Sequence, residues 1–197
     1  MPITNSSVDD PQSALRSSAK LAREQLSAAQ RKKFSSQIAD KVLASEIFIQ
    51  SSNIACYVPM ATEVDTWPII QRAWAQKKRV FVPVTQENRS LQFCRLRDEG
   101  DLETNRWGLR EPKTRTEIEI QTLDIVIAPL VAFDTQRNRI GMGGGYYDRA
   151  FSYVADADND IRTRLAGVAY DCQRVEKIAP NPWDIRLFRI FTETLEL

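Results

Sequence analysis

The hydrophobic pattern begins with a helical period. Leu15, Ala19, Ala22 and Leu26 recur on one face and predict a helix over residues 12–26. Ser27-Ala28-Ala29-Gln30 has the form of a capping box and predicts the start of a second helix, with Phe34, Ile38 and Val42 as its apolar stripe. From residue 53 the period shortens to that of strands. Residues 53–58, 79–84, 91–96, 124–128, 165–170 and 189–192 are short β-type runs. An amphipathic helix over 66–77, with Ile69, Ile70, Ala73 and Trp74 facing inward, separates the first two. Another helix is expected near Tyr146, directly after a glycine cluster.

Strands that alternate with helices predict an α/β fold: a single three-layer domain with a mainly parallel sheet covered by helices on both faces. The run Asp124-Ile-Val-Ile-Ala128 is apolar almost throughout, as a central strand of such a sheet must be. Residues 1–11 are polar, carry prolines near both ends and read as a flexible extension, which leaves 12–197 as the domain. The stretch 86–122 shows no periodicity beyond 91–96, and no internal repeat or linker divides the chain.

Composition narrows the chemistry. The 197 residues suffice for a substantial core. Lys and Arg total 27 against 26 Asp and Glu, a formal charge of +1, so no whole-molecule field favours nucleic acid or an anionic membrane. Small-molecule substrates and a monomer are the expectation. There is no histidine, which excludes Ser-His-Asp and Cys-His hydrolases and imidazole metal sites. Cys56, Cys94 and Cys172 form neither a CxxC pair nor a zinc spacing and read as free thiols in a reducing compartment. The longest apolar run, 125–133, is well short of the ~18 residues that span a bilayer. The N-terminal residues lack the basic start and apolar stretch of a signal peptide, so the expected location is cytoplasmic.

The chain has only seven glycines, and four of them fall in Gly141-Met142-Gly143-Gly144-Gly145. Such a cluster can be a tight turn or a flexible connection. It can also aim consecutive backbone amides into one concavity that holds phosphate oxygens, ahead of a helix N-terminus. Neither GxxxxGK[ST] nor GxGxxG is present. The flanks favour a nucleotide phosphate site: Arg137, Arg139 and Arg149 supply cations, while Asp134 and Asp148 supply carboxylates able to hold magnesium beside a phosphate.

The block Asp124-Ile-Val-Ile-Ala-Pro-Leu-Val-Ala-Phe-Asp134 with Arg139-Ile-Gly-Met-Gly-Gly-Gly-Tyr-Tyr-Asp-Arg149 closely resembles the signature of the 5-formyltetrahydrofolate cyclo-ligase (5,10-methenyltetrahydrofolate synthetase) family. Weaker similarity extends to Leu15-Arg16, Glu63-Val-Asp-Thr66, Trp107-Gly-Leu-Arg-Glu-Pro112 and Trp183-Asp184. The resemblance implies a three-layer α/β fold. It also implies an activity that uses ATP as co-substrate and Mg²⁺ as cofactor to close 5-formyltetrahydrofolate to 5,10-methenyltetrahydrofolate, releasing ADP and phosphate. A formamide oxygen is a poor leaving group; phosphorylating it lets the neighbouring folate nitrogen attack. Phosphoryl transfer asks mainly for alignment and charge neutralisation, which a site without histidine can supply.

By that resemblance, Gln12, Arg16, Arg139, Ile140, Gly141, Met142, Gly143, Gly144, Gly145, Tyr146 and Tyr147 would bind ATP. Val58, Glu63, Trp107 and the stretch Met142 to Tyr146 would face the folate. Asp148 and Asp184 would hold the metal, and Arg16, Tyr147 and Asp148 would carry catalysis. A carboxylate at Glu63 could accept the paired N–H donors of a pterin, while Asp65 is the better placed acid for capping the 66–77 helix. Lys20, Arg23, Arg31, Lys32 and Lys33 read as solvated helix faces. The chain departs from the family at two cations: Gln12 replaces a usual lysine, and Gly144 stands where lysine is frequent. Two other readings stay open, a sugar-phosphate isomerase or CoA transferase on a related fold, and a folate- or nucleotide-binding protein without turnover.

Overall fold

The computed structural model describes residues 11–197 except Arg89, Arg106, Trp107 and residues 155–161. The expected extension therefore lies outside the described residues but for Pro11, which opens the first helix, and the expected folate contact Trp107 lies outside them altogether.

Helix α1 (Pro11–Glu24) is followed by α2 (Ala28–Ala44). Their boundary is the expected capping box: Ser27 Oγ accepts from Gln30 N–H at 3.2 Å, and the Gln30 side chain accepts from Ser27 N–H at 2.9 Å. Ser45 then closes α2 and caps a short α3 (Glu46–Gln50), an element the periodicity does not reveal. Strand β1 (Asn53–Cys56) leads through a loop to α4 (Trp67–Ala75), and β2 (Arg79–Thr85) turns back into β3 (Leu91–Arg95). Asp65 Oδ1 accepts from Trp67 N–H at 3.0 Å, as expected for the acid at the α4 start. A small hairpin, β4 (Leu102–Thr104) and β5 (Arg110–Pro112), fills the stretch that lacked a pattern. Strand β6 (Ile125–Ala128) is followed by a second hairpin, β7 (Ala132–Phe133) and β8 (Arg139–Ile140). The one-turn α5 (Tyr146–Ala150), β9 (Arg164–Val168) and β10 (Arg189–Phe191) complete the order.

The six-stranded sheet runs β10-β9-β6-β1-β2-β3, parallel except for the edge strand β3. The interior position of β6 matches its apolar run. One face packs Ile54, Val80, Ile125 and Val168 against Ile38 and Val42 of α2, Phe48 of α3 and Ile69 and Ala73 of α4. The other face is covered too, though not by long helices. Ala55, Phe81, Val126 and Leu165 pack under Phe151, Leu130, Phe133 and Leu187, from loops, the end of α5 and the β7 hairpin. Helix α1 lies on neither face: Leu15 and Ala19 pack on Val131, Ala132 and Ile140, which sets α1 across the segment that carries the glycines.

Because β1 connects onward to β2 on one side while β6 flanks it on the other, the chain reverses direction across the sheet between β1 and β6. The carboxyl ends of strands at such a point leave a crevice between diverging loops. The loops after β1 (57–66) and after β6 open there.

Candidate active site

A cavity of about 480 Å³ occupies that crevice. Its walls are the loop after β1 (Tyr57, Val58, Met60, Glu63), the ends of β2 and β6 (Pro83, Thr85, Pro129, Leu130), the β4–β5 hairpin (Leu109, Arg110, Glu111) and the glycine segment with α5 (Arg139, Gly141, Met142, Gly144, Gly145, Tyr146, Tyr147, Asp148). Met60 and Met142 are exposed large apolar residues on two different walls, surface that a bound ligand would cover.

The glycine segment is shaped by backbone that side chains resist. Gly143 and Gly145 have φ of 97° and 63°, in the left-handed region. At Gly144 a Cβ would sit 2.7 Å from the Tyr146 ring. The carbonyl of Gly141 accepts from Arg16 Nε at 2.9 Å and that of Gly144 from Arg149 at 2.8 Å. Among the described residues the amides of Met142, Gly143, Gly144 and Gly145 donate no hydrogen bond, so they are available to an anion. The helix behind them has only five residues, so its dipole adds less than expected and the amides with nearby arginines dominate.

Arg139, 7% exposed, spans from β8 into the cavity wall. Its guanidinium grips Asp148 Oδ1 at 2.6 and 3.2 Å, and the same oxygen accepts from Ile185 N–H at 3.1 Å. That last bond ties α5 to the residue following Asp184. Asp184 Oδ2 accepts from Asn181 N–H at 2.8 Å and from the Gln12 amide at 3.3 Å. Asp148 Oδ2 and Asp184 Oδ1 accept no hydrogen bond among the described residues. Among those residues, no cluster of three or more His, Cys, Asp or Glu is placed to hold a metal. Two carboxylates with spare oxygens suit a hard cation that keeps waters and completes its shell with phosphate, the habit of magnesium.

The other cations and acids near the signature have structural duties. Asp134 is 1% exposed and accepts from Gln136 N–H, Asn138 N–H, the Asn138 amide and Ile178 N–H, so it stabilises the β7–β8 turn and is not open to a metal. Arg137 donates to Phe188 O at 2.8 Å and so is engaged away from the glycine segment. Arg23, read from sequence as part of a solvated face, is 6% exposed, with Nε buried and unpaired.

On the opposite wall, Glu63 Oε2 accepts from Met60 N–H at 3.0 Å. Burial pushes its carboxyl above the ordinary range, opposed by that hydrogen bond and by the positive charge of Arg23. Burial likewise raises the Tyr147 phenol far above neutrality, so it can donate a hydrogen bond but is no base. The Cys56 thiol is pushed up to about 12, which removes it as a nucleophile. All three cysteines are free.

The structure thus gathers most of the expected residues around one cavity. Ile140 is buried in the α1 contact and does not line the cavity, while Gln12, Arg16 and Asp184 stand outside the wall yet adjoin it through the bonds above, and Gly143 through its chain neighbours. Sequence reasoning missed Pro83, Thr85 and Leu91 in the wall. It also left Leu109, Arg110 and Glu111 without roles, although they fall within the weakly similar stretch at 107–112.

Comparison with known proteins follows the same outline. A model of the 5-formyltetrahydrofolate cyclo-ligase family matches residues 8–193. The chain is 33% identical over 174 residues to the 5-formyltetrahydrofolate cyclo-ligase of Escherichia coli (strain K12), covering 86% of this chain and 93% of the relative. It is 38% identical over 145 residues to the Haemophilus influenzae protein of the same name, covering 72% and 75%. Among solved structures, the 5,10-methenyltetrahydrofolate synthetase of Aquifex aeolicus superposes with a TM-score of 0.80 at 27% identity, over 94% of this chain and 91% of that one.

Proposed function

The chain belongs to the 5-formyltetrahydrofolate cyclo-ligase family, and from that premise we propose that it closes 5-formyltetrahydrofolate to 5,10-methenyltetrahydrofolate at the expense of ATP and with Mg²⁺. The observation that carries this reading is the pairing of unlike walls in one cavity: unsatisfied amides of the glycine segment on one side, a half-buried carboxylate on the other.

In this reading the amides of Met142, Gly143, Gly144 and Gly145 receive phosphate oxygens of ATP, with Arg16 fixing the Gly141 carbonyl and Arg139 adding charge. Glu63 accepts the pterin donors while Val58 and the exposed Met142 flank the ring. The γ-phosphoryl passes to the formyl oxygen: a P–O bond forms there as the bond to ADP breaks. The lone pair of the neighbouring folate nitrogen then attacks the formyl carbon, that nitrogen gives up its proton to solvent or to the departing phosphate, and the C–O bond breaks with release of phosphate. Tyr147, held neutral by burial, is suited to donate a hydrogen bond to developing negative charge. Asp148 and Asp184 would hold the metal, whose chemistry is to neutralise the phosphate oxygens during transfer. Gln12 contacts Asp184 in place of a cation, so ATP binding at this edge would be weaker than with lysine.

The free cysteines support a reducing, cytoplasmic setting, and the reading is of a monomer. Among the described residues no helix is long and apolar enough to cross a membrane. The test is near-ultraviolet absorbance of the methenyl product from purified protein with 5-formyltetrahydrofolate, ATP and Mg²⁺. Product should require all three, and folded protein at high concentration that yields none would overturn the reading. A binding protein without turnover would instead show affinity for folate and no absorbance change.

A further inference from the structure

Glu63 sits on a loop, yet recognition of two ring donors by one carboxylate requires placement within a fraction of an ångström. What holds the loop comes from outside the cavity. Tyr170, just past β9, is fully buried, and its hydroxyl lies 3.1 Å from the Glu63 carbonyl and 3.0 Å from Ser35 Oγ on α2. Ser35, 2% exposed, accepts from Asp65 N–H at 2.9 Å. The proton order is forced, because a carbonyl can only accept and an amide can only donate. Tyr170 therefore donates to Glu63 O, Ser35 donates to Tyr170 Oη, and Asp65 N–H donates to Ser35 Oγ. Two further buried hydroxyls continue the grip: Tyr57 donates to Val64 O at 3.0 Å, and Thr66 donates to Tyr57 O at 2.7 Å.

We propose that the Ser35–Tyr170 hydroxyl pair is a positioning device for the folate side of the site, fixing the backbone on both sides of Val64 so that the Glu63 carboxylate is preset for its ligand. Neither residue lines the cavity, and their hydroxyl hydrogen bonds run to each other and to the Glu63 loop, not to the glycine segment. Their effect should therefore reach one substrate and not the other. A merely structural pair would lower thermal stability and active fraction, changing kcat while leaving both Michaelis constants in place. This inference rests on the folate-binding role proposed for Glu63.

The experiment compares Tyr170→Phe and Ser35→Ala with wild type, alone and on a Glu63→Gln background, following product absorbance while each substrate is varied. Removing one buried hydrogen bond should raise the 5-formyltetrahydrofolate KM on the order of tenfold, with the ATP KM changed less than about twofold. On the Glu63→Gln background the same substitutions should add less than about twofold, because the group they position is already lost. Equal shifts in both Michaelis constants, an unmoved folate KM, or full additivity with Glu63→Gln would overturn the proposal. Ser35→Ala carries the test if Tyr170→Phe does not fold. Wild-type protein without turnover counts against the assigned reaction; active wild type with indifferent variants counts against the positioning pair alone.

Discussion

The two loops that face each other across the cavity solve opposite problems. In the loop at 57–66 the backbone groups of Glu63, Val64 and Asp65 are tied to buried hydroxyls of Tyr170, Tyr57 and Ser35. In the segment 141–145 the amides of Met142 to Gly145 donate to no described residue, while the Arg16 and Arg149 side chains hold the carbonyls of Gly141 and Gly144. A rigid ring bound by one carboxylate rewards a wall whose hydrogen bonds are already spent on itself. A flexible polyphosphate rewards a wall that has kept its donors. The contrast also explains the glycines. A segment that is to present successive amides needs φ values such as those of Gly143 and Gly145, whereas the folate-side loop contains no glycine.

The sharpest way to break this comparison is at Asp148, which joins both the Arg139 ion pair and the proposed metal site. Asp148→Asn should lower kcat by about a hundredfold or more and lose magnesium dependence. It should keep the fold at reduced Tm, because Arg139 is left without its charge partner. Circular dichroism with a magnesium titration of the rate checks this, and wild-type rates would remove the metal role. Next in size, Gly144→Ala forces a Cβ onto the Tyr146 ring and should raise the ATP KM about tenfold, measurable under saturating folate.

Glu63→Gln is the counterpart on the other wall. It should raise the folate KM and spare the ATP KM. Its stability effect follows from the upward shift of the carboxyl. A group whose folded pKa exceeds its unfolded value favours the native state at low pH, and that contribution is lost as pH rises through the folded pKa. At neutral pH the half-buried charge is therefore a burden, and Glu63→Gln should raise Tm by ~1–3 °C there, a gain that fades as pH falls through the raised folded pKa and is gone below the ordinary carboxyl value of 4.5. Thermal melts across pH read this directly. The same shift predicts that the folate KM of wild type climbs on acidification sooner than an ordinary carboxylate would require. Smallest of all, Gln12→Lys should lower the ATP KM roughly threefold by adding a cation beside Asp184; an unchanged value would make the missing charge immaterial.

Much of this was legible in the sequence, for identifiable reasons. The six sheet strands and the three longer helices announce themselves by period, since each buries one face, α2 and α4 against the sheet and α1 against the β7–β8 hairpin. α3 escaped because it has one turn and shares Ser45 with the end of α2, and β7 and β8 have two residues each, too few for alternation. The glycine segment stood out by composition, whereas Glu63 became a candidate only through family resemblance. The loop's supports could not be read at all. Ser35 is a polar residue in a helix, and its burial depends on a tyrosine 135 positions away. Arg23 looked like one more surface charge until α1 was laid across the β7–β8 hairpin.

The central claim is that the triphosphate wall delivers its terminal phosphoryl group to the formyl oxygen presented by the folate wall. Turnover of 5-formyltetrahydrofolate labelled with ¹⁸O in the formyl group tests it most directly. The account predicts that the inorganic phosphate released carries the label, one atom for each methenyl product formed. Methenyl product accompanied by unlabelled phosphate, with the label recovered in water, would contradict it.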